Sequence, residues 1–288
     1  MTYNVKSAIY FPTKGRPELV RRAIGRVRQH NASRYPVYAV TERDAGLGLR
    51  DITDMGAIPL WLPRKGRGIG YARQAIVEHA AVSGFLSLAM IDDDQLVSGN
   101  IEQWLAAARR PDVVGVGAFK SYYGLLYRGT QMVITYRRPN LWLHKGSAGY
   151  QAFALNVATT VALGGFDPRL RCFEDTELAR KGIYQRGIPW FIYTGVLTAD
   201  QKSRAAMREL GSSSARLADG VDPAIRLSHE IVHDRWPGYV SPPDRRFRCS
   251  WKQMIQNYTT ITPWPLENIV TRRPWDWTGH VPSPKRTG

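Results

Sequence analysis

Short apolar runs alternate with longer amphipathic stretches along the first part of the chain. Ser7–Phe11 reads as a first strand, broken by the turn Pro12-Thr13-Lys14-Gly15-Arg16-Pro17. The spacing predicts a helix from Pro17 to about His30, with proline in the first helical turn where its missing N–H has no cost. Tyr35–Val40 reads as a second strand running into Thr41-Glu42-Arg43-Asp44, and Ile58–Leu62 as a third. A basic glycine-rich loop, Pro63 to Gly70, precedes a helical pattern from Tyr71 to Ala81. The run Phe85-Leu86-Ser87-Leu88-Ala89-Met90-Ile91 follows Gly84 and reads as a buried strand. Strands alternating with helices at this spacing predict an α/β fold with a mostly parallel central sheet flanked by helices. After about Ser241 the sequence becomes rich in Pro, Trp and Arg, which predicts an irregular C-terminal extension on the core.

The last of those strands ends in three consecutive aspartates, Asp92-Asp93-Asp94. Carboxylates near a core lose solvation and repel one another, so such a cluster needs a countercharge. A divalent cation supplies one, and hard oxygen ligands suit Mg²⁺ or Mn²⁺. Open α/β sheets bind ligands at the carboxyl ends of their strands, where this cluster falls. A solvated loop with helix-capping aspartates is the alternative.

Charge narrows the choice of partner. The 288 residues carry 40 Lys+Arg against 24 Asp+Glu, a net charge of +16. That balance favours a polyanion, nucleic acid first and an anionic membrane surface second. With 43% apolar and 22% charged residues the composition is that of a folded protein. No window approaches the ~18 uninterrupted apolar residues of a membrane span, and the N-terminus shows no signal-peptide core. Cys172 and Cys249 are too few for a disulfide framework or a zinc site, so a reducing cytoplasm fits.

Three further segments carry chemistry. Arg64 to Gly70 places Lys65 and Arg67 between glycines, suited to cradling a diphosphate or simply to a basic surface loop. It lacks the Walker A ending and the Rossmann glycine spacing, which argues against nucleotide hydrolysis and NAD chemistry. Glu174-Asp175, shortly after Gly164-Gly165-Phe166-Asp167, forms an acidic pair at a predicted helix start; dipole compensation explains it without chemistry. Ser228-His229-Glu230-Ile231-Val232-His233 supplies two histidines which, on a helix, share a face, but without the spacing of a zincin.

The order Pro-Thr-Lys-Gly-Arg-Pro, Gly70-Tyr71-Ala72-Arg73-Gln74, Asp92-Asp93-Asp94, Gly-Gly-Phe-Asp and Glu174-Asp175 resembles that of the GT-A nucleotide-sugar glycosyltransferases. It covers roughly residues 5 to 195, and Gln74 stands where the family more often has Asn. The compact, basic chain with Ile-Asp-Asp-Asp is similar, more narrowly, to the phage TET-associated glycosyltransferases, which act on hydroxymethylated pyrimidines in DNA.

The resemblance implies a GT-A-like, Rossmann-like domain over residues 1–240 and a basic extension over 241–288. Pro12, Thr13 and Arg16 would lie against the donor nucleotide, with Glu42 near its base or ribose and Gly70 at the donor-side helix start. Arg73 would fix Asp92 and approach the donor. Asp92 and Asp94, taken as two apart on an extended segment, would bind the metal, while Asp93 points elsewhere, toward donor hydroxyls. Lys65 and Arg67 would assist the leaving diphosphate. Asp175 is the candidate general base with Glu174 as its alternative, and His229 or His233 would close the metal site.

The expected activity is transfer of a sugar, glucose from UDP-glucose first, to 5-hydroxymethylcytosine or a related base in DNA, with Mn²⁺ or Mg²⁺ as cofactor. A phage-encoded enzyme of this kind would work in the host cytoplasm, with no membrane partner. The basic and aromatic residues from Arg245 onward, among them Trp251, Tyr258 and Trp275, suit phosphates and exposed bases, or else pack the extension onto the core. The aromatics Tyr122, Tyr123, Tyr127 and Tyr136 are candidates for the border of the acceptor cleft. A transferase acting on a polysaccharide, lipid or protein, and a non-catalytic nucleic-acid-binding protein, are the alternatives.

Overall fold

The computed structural model describes residues 6–30, 34–43, 45–63, 68–111, 113–120, 140–143, 151–186, 190–201, 223–235 and 261–263. Lys65, Arg67, Cys249, the Tyr122–Tyr136 aromatics and all of the extension except 261–263 lie outside them.

The chain opens with β1 (Ser7–Pro12), α1 (Pro17–Gln29), β2 (Val37–Glu42), α2 (Leu49–Asp54), β3 (Ile58–Leu62), α3 (Ile69–Val82) and β4 (Ser87–Ile91). A tight turn leads into β5 (Gln95–Gly99), followed by α4 (Ile101–Ala108), β6 (Gly115–Lys120), β7 (Asn140–Leu143) and β8 (Ala152–Asn156). Then come α5 (Val157–Ala162), α6 (Glu174–Lys181), β9 (Trp190–Asp200), α7 (Pro223–Arg235) and β10 (Ile261–Pro263).

One sheet carries them in the order β10-β7-β9-β6-β8-β4-β1-β2-β3, with β5 paired to β9. The block β3-β2-β1-β4 is parallel, as the strand–helix alternation predicts, and so is the pair β6–β9. Strand β8 runs antiparallel between β4 and β6. Both faces of the central strands are covered, which is why their sequences are continuously apolar rather than alternating. Ile9 and Phe11 of β1 join Val20 and Ile24 of α1 and Trp104 of α4 on one side. Ala8 and Tyr10 face Ile76 of α3 and Leu178 of α6 on the other. Large apolar side chains at near-zero exposure on both sides supply the dominant stabilisation.

Strands β2 and β4 and helix α3 differ in their boundaries from the sequence expectation; β4 starts at Ser87 and leaves Leu86 exposed. Strand β2 starts after Pro36, whose carbonyl accepts from Ile9, and extends to Glu42 because β3 pairs with it through Leu62. Helix α3 starts at Ile69, two residues before Tyr71, because the chain around Gly70 docks on the Asp167–Leu170 turn.

The strand order places the site. The chain runs outward from β1 to β2 and β3, then returns to the other side of β1 with β4. Crossovers diverge at that switch point, beyond the carboxyl ends of β1 and β4, which is where open α/β sheets bind their ligands. The Thr13–Arg16 turn leaves β1 there, and Asp92–Asp94 leave β4.

Candidate functional site

Each of the three aspartates has its own partner. Arg73, on α3 and 2% exposed, donates from Nη2 to Asp92 Oδ1 at 2.9 Å and from Nη1 to Glu174 Oε1. Its guanidinium also lies over the Phe153 ring, 4.8 Å from the centroid. Two carboxylates and a π-face hold this buried cation charged, and its pKa rises above the ordinary arginine value despite burial.

Asp93 is 1% exposed and turned inward. It accepts from Thr13 Oγ1 at 2.6 Å, from Arg16 Nε at 3.0 Å and from Arg16 Nη2 at 2.5 Å. Burial pushes its carboxyl up to about 7, against the downward pull of Arg16 and Thr13. The fork fixes the turn after β1 to the turn after β4, so Asp93 positions Thr13 and Arg16, where a contact with donor hydroxyls was expected.

Asp94 Oδ1 accepts from Gln95 Nε2 at 3.0 Å, and the same nitrogen donates to Asp200 Oδ1 at 2.7 Å. Burial raises the Asp94 carboxyl, and Asp92 adds to the rise. Gln201 secures the backbone: its N–H donates to Asp94 O at 2.8 Å, and its Nε2 reaches Asp93 O and Leu19 O, each at 2.9 Å. The aspartates occupy a turn closed by Gln95 N–H to Asp92 O at 2.9 Å, not the extended segment expected from the sequence. Residues two apart therefore do not share a direction by strand pleat. The second oxygens of Asp92 and Asp94 take no hydrogen bond among the described residues.

The acidic pair opens α6. Phe173 caps the helix in the left-handed region, φ 61°, a conformation that costs a non-glycine residue about 1–3 kcal/mol. Its ring joins Leu170, Ile231 and Val232 in a small apolar cluster. Glu174 and Asp175 follow at the positive end of the helix dipole, both buried. Glu174 is engaged by Arg73, while Asp175 Oδ1 accepts from its neighbour Thr176 N at 2.7 Å.

Helix α3 ties these parts together. A Cβ on Gly70 would stand 2.5 Å from the carbonyl oxygens of both Asp167 and Leu170, so this position packs backbone against backbone. Gln74 Oε1 accepts from Phe166 N at 2.8 Å, and Gly165, at φ +64°, leaves room for the Gln74 amide. Glutamine at this place thus has a role of its own: it reaches the Gly-Gly-Phe-Asp turn.

Helix α7 docks through Ser228, which accepts from Arg171 N at 2.8 Å, and through Val232 in the apolar cluster. Arg235 closes it onto Glu177 of α6 and onto Asp167 Oδ2 at 3.0 Å. His229 and His233 sit on this helix, one position beyond Ser228 and Val232; their side chains are outside the described residues. Pro12 ends β1 opposite Val40, and Glu42 ends β2 opposite Leu62, which puts both at the carboxyl edge of the sheet. Sequence reading missed Gln95, Thr198, Asp200, Gln201 and Arg235. Only the β5–β9 pairing and the docking of α7 bring them to the acids, and no local pattern announces that.

Among the described residues no group of three or more His, Cys, Asp and Glu is assembled to hold a metal. Mg²⁺ and Mn²⁺ need no such cage when substrate phosphates complete the shell beside one or two carboxylates. Asp92 and Asp94, hard oxygen donors at a strand end, fit a cation of that kind.

No protein-family model matches the chain, and no curated protein matches it. Solved structures do. A mannosyltransferase from Pyrobaculum calidifontis, in complex with GDP-Man and Mn²⁺, is 17% identical with a TM-score of 0.52, over 81% of this chain and 71% of that one. The fold is GT-A-like. GalNAc-T7, solved with UDP, GalNAc and Mn²⁺, is 12% identical with a TM-score of 0.54; the likeness covers 82% of this chain and 49% of that one. At these identities the GT-A likeness is one of fold. Among the described residues of this GT-A-like chain no helix is long and apolar enough to cross a membrane.

Proposed function

We propose that the chain is a glycosyltransferase that uses a nucleotide-sugar donor and a divalent metal, Mn²⁺ or Mg²⁺. The observation that carries this reading is the Arg73 bridge. It binds Asp92 at the end of β4 to Glu174 at the start of α6, and so assembles acids from two distant segments at the switch point of a GT-A-like sheet. The two structural neighbours support it, both having been solved with Mn²⁺ and a sugar or nucleotide sugar.

In this reading Asp92 and Asp94 hold the metal, which stabilises the negative charge that develops on the departing diphosphate. His229 and His233 are the candidates for a further ligand from α7. Thr13 and Arg16, locked by Asp93, line the donor side with Pro12 and Glu42, and Lys65 and Arg67 neutralise the diphosphate. Asp175 takes the proton from the acceptor hydroxyl as its oxygen attacks the sugar carbon and the bond to the diphosphate breaks. Glu174 is the weaker choice of base, because Arg73 already engages its carboxylate. This assignment applies to an inverting transfer.

For the acceptor we infer a 5-hydroxymethylpyrimidine in DNA, on the strength of the +16 charge, with UDP-glucose as the first donor to try. The test is mass spectrometry of hydroxymethylated and unmodified DNA after incubation with Mn²⁺ and a panel of nucleotide sugars that includes UDP-glucose and GDP-mannose. A hexose added only to the hydroxymethylated DNA is the expected result. Donor turnover that is stimulated by a glycan and not by DNA moves the acceptor to a polysaccharide, lipid or protein.

A further inference from the structure

The three aspartates differ in the charge of their partners. Asp92 faces Arg73 and Asp93 faces Arg16, but Asp94 faces the neutral amide of Gln95 and forms no ion pair among the described residues. Gln95 opens β5 opposite Asp200, which closes β9. Its Nε2 lies 3.0 Å from Asp94 Oδ1 and 2.7 Å from Asp200 Oδ1, so both amide protons serve carboxylates. Its Oε1 accepts from Thr198 Oγ1 at 2.9 Å. Gln95 is fully buried and Thr198 is 2% exposed. Turning the amide over would set its oxygen against two carboxylates, so one orientation is fixed.

A neutral clamp does what no charged side chain here would. Lysine or arginine would hold the two acids but cancel their charge; glutamate would add a third repelling acid; an aliphatic residue would leave a buried Asp94 oxygen without a donor. An amide holds both carboxylates in place and leaves their charge undiminished. We infer that Gln95 is a positioning residue, oriented by Thr198, that presents the Asp94 carboxylate with its charge intact to a divalent cation, beside the negative charge of Asp200. This rests on the metal-dependent reading above, in which Asp94 is a cation ligand.

The test is Mn²⁺ titration of the 288-residue protein, alone and with a nucleoside diphosphate to complete the metal shell, read by electron paramagnetic resonance of free Mn²⁺, alongside thermal unfolding. Partners that orient metal ligands typically contribute about 10–100-fold in affinity, so Gln95→Leu should weaken Mn²⁺ binding by that order. Gln95→Lys should weaken it as much while it keeps or raises the unfolding temperature, which a merely structural role does not predict. Thr198→Val should weaken binding and Thr198→Ser, which keeps the hydroxyl, should match the parent. Folded Gln95→Leu or Gln95→Lys protein that binds Mn²⁺ as tightly as the parent overturns the inference. If neither Gln95 variant folds, the Thr198 pair decides it, and a Thr198→Val protein with parental affinity overturns it. The two readings fail separately. A parent that transfers sugar but binds no Mn²⁺ sinks the clamp and spares the transferase. A parent whose Mn²⁺ affinity depends on Gln95 but which transfers no sugar does the reverse.

Discussion

Arg73 and Glu174, 101 positions apart in the chain, form a hydrogen-bonded ion pair with both side chains almost wholly buried. The pair fastens α3 to the first turn of α6, and through the other end of the guanidinium to Asp92. Removing Arg73 leaves two carboxylates without their shared cation. Arg73→Ala should therefore lose about 3–5 kcal/mol of stability, measured by urea unfolding, and with it all transfer. Arg73→Lys keeps the charge but not the fork, so it should unfold at a midpoint between alanine and parent.

Asp92→Asn and Asp94→Asn should each abolish transfer while the fold survives, since an amide keeps the size and part of the hydrogen bonding of the carboxylate. Activity assays with circular dichroism check both halves. Parental activity of both variants in excess EDTA removes the metal from the mechanism.

Asp175→Asn should lower turnover by about 10²–10⁴-fold with little change in donor affinity if Asp175 takes the acceptor proton. Glu174→Gln should behave differently, with a loss of unfolding midpoint that reflects its pairing with Arg73. Donor affinity by calorimetry and turnover by product release separate the two. A variant of Asp175 that loses donor affinity alone places that residue on the donor side.

Acid should loosen the turn around Asp167. The side chain and backbone of Arg169, with Arg235, hold the Asp167 carboxyl well below its ordinary 3.8. A depressed folded value means that the contribution is fully present above the unfolded value and is lost as pH falls below about 3.8 toward the folded one. Thermal unfolding from pH 5 to 2 should show this loss, and Asp167→Asn should flatten it. An equal slope in parent and variant assigns the acid sensitivity to other carboxylates.

DNA binding should weaken steeply with salt, with a log–log slope of about −0.9 per phosphate contacted on duplex DNA. Replacing Arg245, Arg246 and Arg248 with alanine should flatten that slope and leave donor affinity unchanged. An unaltered slope in the folded triple variant moves the phosphate track to Arg64–Arg67 or Arg137-Arg138. A salt-independent affinity in the parent removes DNA as acceptor.

Much of the core was legible because it depends on local periodicity. The apolar run before Asp92 is buried from Ser87 to Ile91, with Leu86 ahead of the strand exposed, and Pro17 and the spacing of Leu19, Val20, Ala23, Ile24 and Val27 make a helix that docks one face. Gly70 was legible as part of a motif but not in its purpose, since the carbonyls of Asp167 and Leu170 that fill its missing Cβ come from a segment far along the chain.

The sequence by itself determined that strands and helices alternate, that acids end β4 and begin α6, and that the whole chain is strongly basic. Those properties follow from residue type and short-range spacing, which the chain carries in one dimension. Only the tertiary structure decided which acid answers to which partner: Asp92 and Glu174 to Arg73, Asp93 to Thr13 and Arg16, Asp94 and Asp200 to Gln95. Those pairings depend on strand order and on the register of β5 against β9, set by hydrogen bonds between segments about a hundred residues apart. Three adjacent aspartates look alike in a sequence, and the fold makes them different by the charge it sets beside each.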